Sequence, residues 1–265
     1  MIRKILSKIE TIVNDNWLNP LLTIYINFCC LPLRQAIKLP IFVYGRPKLF
    51  VANGVIEMPD ICRKGMVKFN ISRRGVTENT SHSELRINGK IIFHGNAIIA
   101  QGSTLDVNGI FEAGDCLNIQ SDCFLGCYNH VVVGKSLSMA HRSQLLDSNE
   151  HWMANMTSRI VRRFSSPIVL GNYCWLCSSS LTLGGARLPH HSILSAFSML
   201  NKDYSREDEG CLFAGIPAKV IKRQIYRFGG NELDKYVCHY FRSHIDDSVC
   251  PLPHNTTTEE LTYYK

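Results

Sequence analysis

The sequence predicts an all-β chain wound as a parallel β-helix, with short helical additions at both ends. Three observations carry that expectation. Large apolar residues recur every six positions, as in Ile87, Phe93, Ile99, Leu105, Phe111, Leu117 and Cys123. A small residue stands two places before most of them, as at Ala97, Ser103, Gly109, Ser121, Ser143, Cys174, Ser180, Ala186, Ser192 and Ser198. Turn formers such as Gly95-Asn96, Gly102 and Gly184-Gly185 fall between. Residues two apart on a strand face the same way, so each unit points one small and one large residue inward and turns a corner beyond them. A helix needs spacings of three and four, and a sandwich shows longer strands with variable turns. A fixed short repeat describes stacked coils, each covering the core of the one below.

The chain divides into three stretches. Residues 1–60 form an apolar lead-in, residues 61–223 carry the β-helix, and residues 224–265 leave the repeat. Within the lead-in, Ile5, Leu6, Ile9, Ile12 and Val13 lie at helical spacing beside Arg3, Lys4 and Lys8. The apolar run from Leu21 to Leu33 holds polar Asn27 and lies between Pro20 and Pro32. It is shorter than the roughly 20 residues that span a bilayer. Two readings stand for this lead-in: a docking cap on the β-helix, or an interfacial helix at the inner membrane face. At the other end, Glu232 to His244 suits a helix and the last residues read as a polar tail.

The repeat resumes at Val133, Met139 and Leu145, then breaks over residues 147–166. It returns at Leu170, Leu176, Thr182, Leu188, Leu194 and Leu200. The break opens with Asp147-Ser148-Asn149-Glu150-His151 and goes on to Arg159, Arg162 and Arg163 among apolar residues.

Bulk properties narrow the function. The 265 residues are 45% hydrophobic and 19% charged, a globular composition. The net charge of +7 suits an anionic partner such as a phosphate, an acidic glycan or a membrane surface. No zinc-finger spacing, RNP-like run or basic helix with interleaved aromatics points to nucleic acid. Eleven cysteines without a framework, and no secretory signal, read as free thiols in the cytoplasm. Cys174 and Cys177 have C-x-x-C spacing but lie within the repeat, so they read as packing residues.

Hexads of the form [LIV]-G-x-x-small-x, a His-bearing break, Leu170-Gly171-Asn172-Tyr173-Cys174-Trp175, and the closing run Ala214-Gly215-Ile216-Pro217-Ala218-Lys219-Val220-Ile221-Lys222 together resemble the hexapeptide-repeat acyltransferases. Residues 85–225 carry the resemblance, and the lead-in looks like that of bacterial polysaccharide O-acetyltransferases. The resemblance implies a left-handed β-helix, acetyl-CoA as co-substrate, no metal, a homotrimer, and a sugar hydroxyl of a surface polysaccharide or its precursor as acceptor. An acceptor such as serine or an amino sugar, or a non-catalytic scaffold, remains the alternative. It makes His151 the general base, with Asp147, Asn149 or Glu150 holding its ring. The family pattern has an acid where Asn149 stands. On the cofactor side it implies Trp175, Ser178, Ala196, Asn201 and Lys202 along the coenzyme A groove, with Lys219 and Lys222 at the phosphates and Arg223 extending that patch. Zinc would need three converging ligands; His130 and His141 are candidates without a clear third.

Overall fold

The computed structural model describes residues 16–72, 83–230 and 232–262. The amphipathic pattern of residues 1–13 lies outside them. The chain winds into three faces of parallel strands. The first face has nine strands, from Ile41–Val43 to Ala218–Lys222; the second has seven and the third six. Along the coils, successive strands fall on different faces and hydrogen-bonded neighbours belong to successive coils; the exceptions are the pair Met153–Asn155 and Ile160–Arg162, and the last strand Ala218–Lys222, which folds back antiparallel on Leu212–Gly215. That is the expected parallel β-helix, with helices at Pro20–Cys30, Leu33–Ala36, Glu232–Ser243 and Thr258–Thr262.

Register corrects the six-residue count. Leu85, Leu105, Leu125 and Leu145 stack on one another at intervals of twenty residues. Beyond the break the interval falls to eighteen, with Leu170 on Leu188, Leu176 on Leu194 and Thr182 on Leu200. In the longer coils the second- and third-face strands, such as Thr104–Val107 and Ile110–Ala113, each turn two residues inward. A count of six therefore slides between the two inward positions. Ala113 stacks with Phe93, Val133 and Leu170, while Phe111 stacks with Ile91 and Val131. Both positions are buried, because strand period is two and either register points inward.

Coil stacking sets the corners. A Cβ on Gly109 would stand 2.2 Å from the carbonyl oxygen of Asn129 in the coil above, so only glycine fits there. Asn88 Nδ2 donates to Asn108 Oδ1 at 2.7 Å, a side-chain ladder one coil below. Inside, Phe69, Phe111 and Phe213 are fully covered along with rows of Ile, Leu and Val. Each such side chain contributes about 1.5–3 kcal/mol by leaving water.

The first coil begins earlier than the lead-in boundary suggested. Ile41–Val43, Lys48–Val51 and Val55–Glu57 pair with Val67–Ile71, Glu84–Ile87 and Lys90–Phe93. Long inserts between these strands hide the repeat from the sequence. The helix Pro20–Cys30 closes the open end. Asn19 caps it by accepting the N–H of Leu22. Asn27 donates to the carbonyl of Ile41 at 2.7 Å and accepts its N–H at 3.1 Å, and Thr23 Oγ1 accepts the N–H of Val43 at 3.0 Å. These polar side chains satisfy an edge strand that would otherwise present unpaired groups.

Thr182 replaces an aliphatic residue in the inner row between Leu145 and Leu200. Its side chain is fully buried, and among the described residues Oγ1 has no hydrogen-bond partner. Thr182→Val removes that unsatisfied hydroxyl and keeps the shape. It should stabilise the fold by about 1 kcal/mol, raising Tm by roughly 2–4 °C in a thermal melt. A fall of similar size would show that the hydroxyl is satisfied.

Candidate active site

The break in the repeat is a hairpin thrown out from one corner. Ser148 bridges Ser165, and Met153–Asn155 pairs antiparallel with Ile160–Arg162. At its tip Asn155 Oδ1 accepts the N–H groups of Thr157 and Ser158, both at 3.0 Å. Its strand residues are exposed on both faces. The hairpin root is held by Asp147, which is buried and receives the N–H of Tyr128 on one carboxylate oxygen and of Asn129 on the other, both at 2.7 Å. Burial raises the Asp147 pKa above the ordinary carboxylate value, and the backbone donors oppose that shift without cancelling it. Ser166 N–H returns to the Asp147 carbonyl at 2.8 Å, closing the root.

His151 stands exposed just beyond. Its Nδ1 lies 2.8 Å from the Asn149 carbonyl oxygen. A carbonyl only accepts, so this bond requires the proton on Nδ1, and in the neutral ring that leaves Nε2 with a bare lone pair. Asn149 also turns the chain, since its Oδ1 accepts the His151 N–H at 3.3 Å. Of the three residues offered for holding the ring, Asn149 reaches it, through backbone rather than side chain. Asp147 faces the other way, into the turn at Tyr128. Glu150 turns toward Tyr128 instead: burial first and the Glu150 carboxylate second push that phenol up to about 12. Trp152 packs edge-on to Phe164 at 4.6 Å, and Phe164 meets Tyr128 at 6.3 Å. An aromatic wall thus flanks the segment that bears His151.

The residues assigned to coenzyme A fall on two corners and one face. Ser178 and Ala196 share a corner on successive coils, where Phe197 N–H donates to the Ser178 carbonyl at 3.3 Å. Asn201 and Lys202 lie on another corner, the one that carries the hairpin; the Lys202 carbonyl accepts the Arg187 N–H, and Asp203 meets Arg187 at 3.6 Å. Trp175, Ile193, Leu212 and Lys222 form one row across four neighbouring strands of the first face. Lys219 and Lys222 are three apart, which would put them on opposite sides of a regular strand. A bulge at Ile221 resets the register, and both lysines pair with outward residues, Ala214 and Leu212. Both are exposed. Trp175 and Lys222 are three strand spacings apart, about 14 Å. Arg223 does not extend the lysine pair, because its guanidinium binds Glu207 at 2.6 Å and lies 3.6 Å from Asp208.

One contact had no signal in the sequence. The segment after the last strand folds back on the first face, with Ile225 N–H on the Gly210 carbonyl and Arg227 over the Trp175 indole at 5.1 Å. One face of Trp175 is therefore covered by its own chain. Four other histidines are placed by neighbours. His94 Nε2 meets Glu112 at 2.7 Å, His130 approaches the same carboxylate at 3.9 Å, and His191 stacks on Tyr173 at 4.8 Å. His141 Nδ1 lies 3.7 Å from Asp122. Among the described residues no group of three or more His, Cys, Asp or Glu could hold a metal ion. The cysteines are free thiols, and burial pushes Cys174 up to about 12 and Cys177 to about 11, away from redox-active values.

Asp147 is thus the structural anchor of the site. Asp147→Ala leaves two backbone donors without partners and should cost about 2–4 kcal/mol in urea denaturation. The loss should appear first as faster amide exchange at Tyr128 and Asn129. Unchanged exchange there would assign the anchor elsewhere.

No protein-family model matches the chain. A curated relative, an uncharacterized 24.8 kDa protein in the cps region of Klebsiella pneumoniae, is 23% identical across 67% of this chain and 83% of its own length. Solved structures similar to this chain include the polysialic-acid-specific acetyltransferase NeuO, with TM-score 0.46 and 17% identity over 81% of this chain and 91% of that one. The polysialic acid O-acetyltransferase OatWY follows at TM-score 0.42 and 14% identity, covering 82% and 97%.

Proposed function

We propose that the chain is an acetyl-CoA-dependent O-acetyltransferase, acting on a sugar hydroxyl of a surface polysaccharide or its precursor. The observation that carries the proposal is the His151 ring, held by a carbonyl on Nδ1 with Nε2 bare and exposed on the segment released by the broken repeat. The hexapeptide-type closure at residues 214–222 supports the reaction class, and the cps-region relative supports a polysaccharide acceptor. The residues assigned to the cofactor fit an extended ligand in part. Trp175 and the two lysines share one face, a flat apolar row ending in two positive charges. Ser178 and Ala196 border that face at its corner.

In the proposed mechanism His151 Nε2 takes the proton of the acceptor hydroxyl as the oxygen attacks the thioester carbonyl. The Asn149 carbonyl stabilises the imidazolium through Nδ1–H, the role a third group plays in a triad. The same imidazolium returns its proton to the departing thiolate, so no covalent enzyme intermediate is needed. Lys219 and Lys222 attract the phosphates of the donor. In this reading the chain works as a homotrimer, the hairpin at 148–166 meeting a neighbouring protomer.

His151→Ala should lower the rate of coenzyme A release with a sugar acceptor by about two to four orders of magnitude, with KM for acetyl-CoA little changed. Undiminished turnover would remove His151 from the mechanism. The double change Lys219→Ala with Lys222→Ala should raise KM for acetyl-CoA about tenfold and leave that for the acceptor alone. Equal effects on both substrates would contradict a phosphate role.

A further inference from the structure

The helix Pro20–Cys30 turns a mixed face to the first strand and an apolar face to solvent. Thr23, Ile26, Asn27 and Cys30 are buried against the first strand. Leu21, Ile24, Tyr25 and Phe28 form the opposite stripe at helical spacing and are exposed, Leu21 by 77%. The patch continues past the helix in Leu33, Ile37 and Ile61, exposed by 68%, 64% and 84%. Scattered exposed apolar residues need no explanation, but a stripe backed by a second cluster does.

Charge indicates what covers it. From residue 16 to residue 56 the chain has four cations, Arg34, Lys38, Arg46 and Lys48, and no Asp or Glu. Carboxylates from elsewhere meet two of them, Asp60 at Arg34 and Glu84 at Lys48. Lys38, Arg63 and Lys64 stay exposed beside the patch, brought together where Gly65 N–H donates to the Leu39 carbonyl. Asp60 is the acid nearest in sequence to that cluster, so the rim is net positive. A symmetric contact with a second copy would set this rim against itself. A surface with an apolar interior and anionic headgroups satisfies stripe and rim together.

We infer that this end of the β-helix docks on an anionic lipid surface, with Leu21, Ile24, Tyr25 and Phe28 entering the headgroup boundary and Lys38, Arg63 and Lys64 at the phosphates. Among the described residues no helix is long and apolar enough to cross a membrane, so the contact is interfacial. The docked helix caps the first strand of the nine-stranded face, whereas Lys219 and Lys222 lie on its last. Eight strand spacings, about 38 Å, separate them, so the lysine end stays in solution.

The test is co-sedimentation of the full chain with phosphatidylcholine vesicles containing about one quarter phosphatidylglycerol, and with phosphatidylcholine alone. Binding should need the anionic lipid and weaken with salt. Leu21→Ser with Phe28→Ser should weaken it at least about tenfold, and Lys38→Glu with Lys64→Glu should do the same. Absence of wild-type binding, or variants that bind as well, would overturn the inference. So would a serine variant that changes oligomeric state or melts earlier without vesicles, because the stripe would then be covered by protein.

Discussion

Everything in this structure depends on coil-to-coil registry. A parallel β-helix has no centre; each inward side chain rests on its equivalents above and below, and each backbone pairs with the next coil. The row Leu85, Leu105, Leu125, Leu145, Thr182 and Leu200 is one such column. Its registry tolerates coils of twenty or eighteen residues because the difference is absorbed in strand length. A longer insert has no place inside the prism. It must leave at a corner, and the root must be tied down where it leaves.

Asp147 is that tie. A buried carboxylate shared by two backbone N–H groups is an expensive way to hold a loop unless the loop has to stand at a fixed angle. The consequence is a hairpin whose strands are wholly exposed and whose first turn sets one histidine ring by a backbone carbonyl. Rigid coils below and a defined tautomer above give a proton acceptor with a fixed direction. The same registry lays Trp175 and Lys222 in one row, with a bulge correcting the lysine spacing.

Much of this was legible in the sequence. The small-large alternation gave the strand period, and the loss of rhythm after Leu145 located the hairpin and His151. The coil length was not legible, because residues two apart both point inward and a six-count passes from one column to the other unnoticed. Asn27 read as an interruption in an apolar run; it is the residue that satisfies the edge strand. Asn149 looked like a lost acid, yet the group that meets His151 is its carbonyl, which every residue has. Arg227 over Trp175 was invisible, since nothing in residues 224–230 repeats or matches a motif.

The ring of His151 offers the most direct measurement. Nitrogen-15 NMR of its side chain in the intact protein, at a pH where the imidazole is neutral, reports which nitrogen carries the proton. The account predicts the Nδ1–H tautomer, with Nε2 bare and facing solvent. A dominant Nε2–H tautomer would break the bond to the Asn149 carbonyl and, with it, the case for His151 as the base.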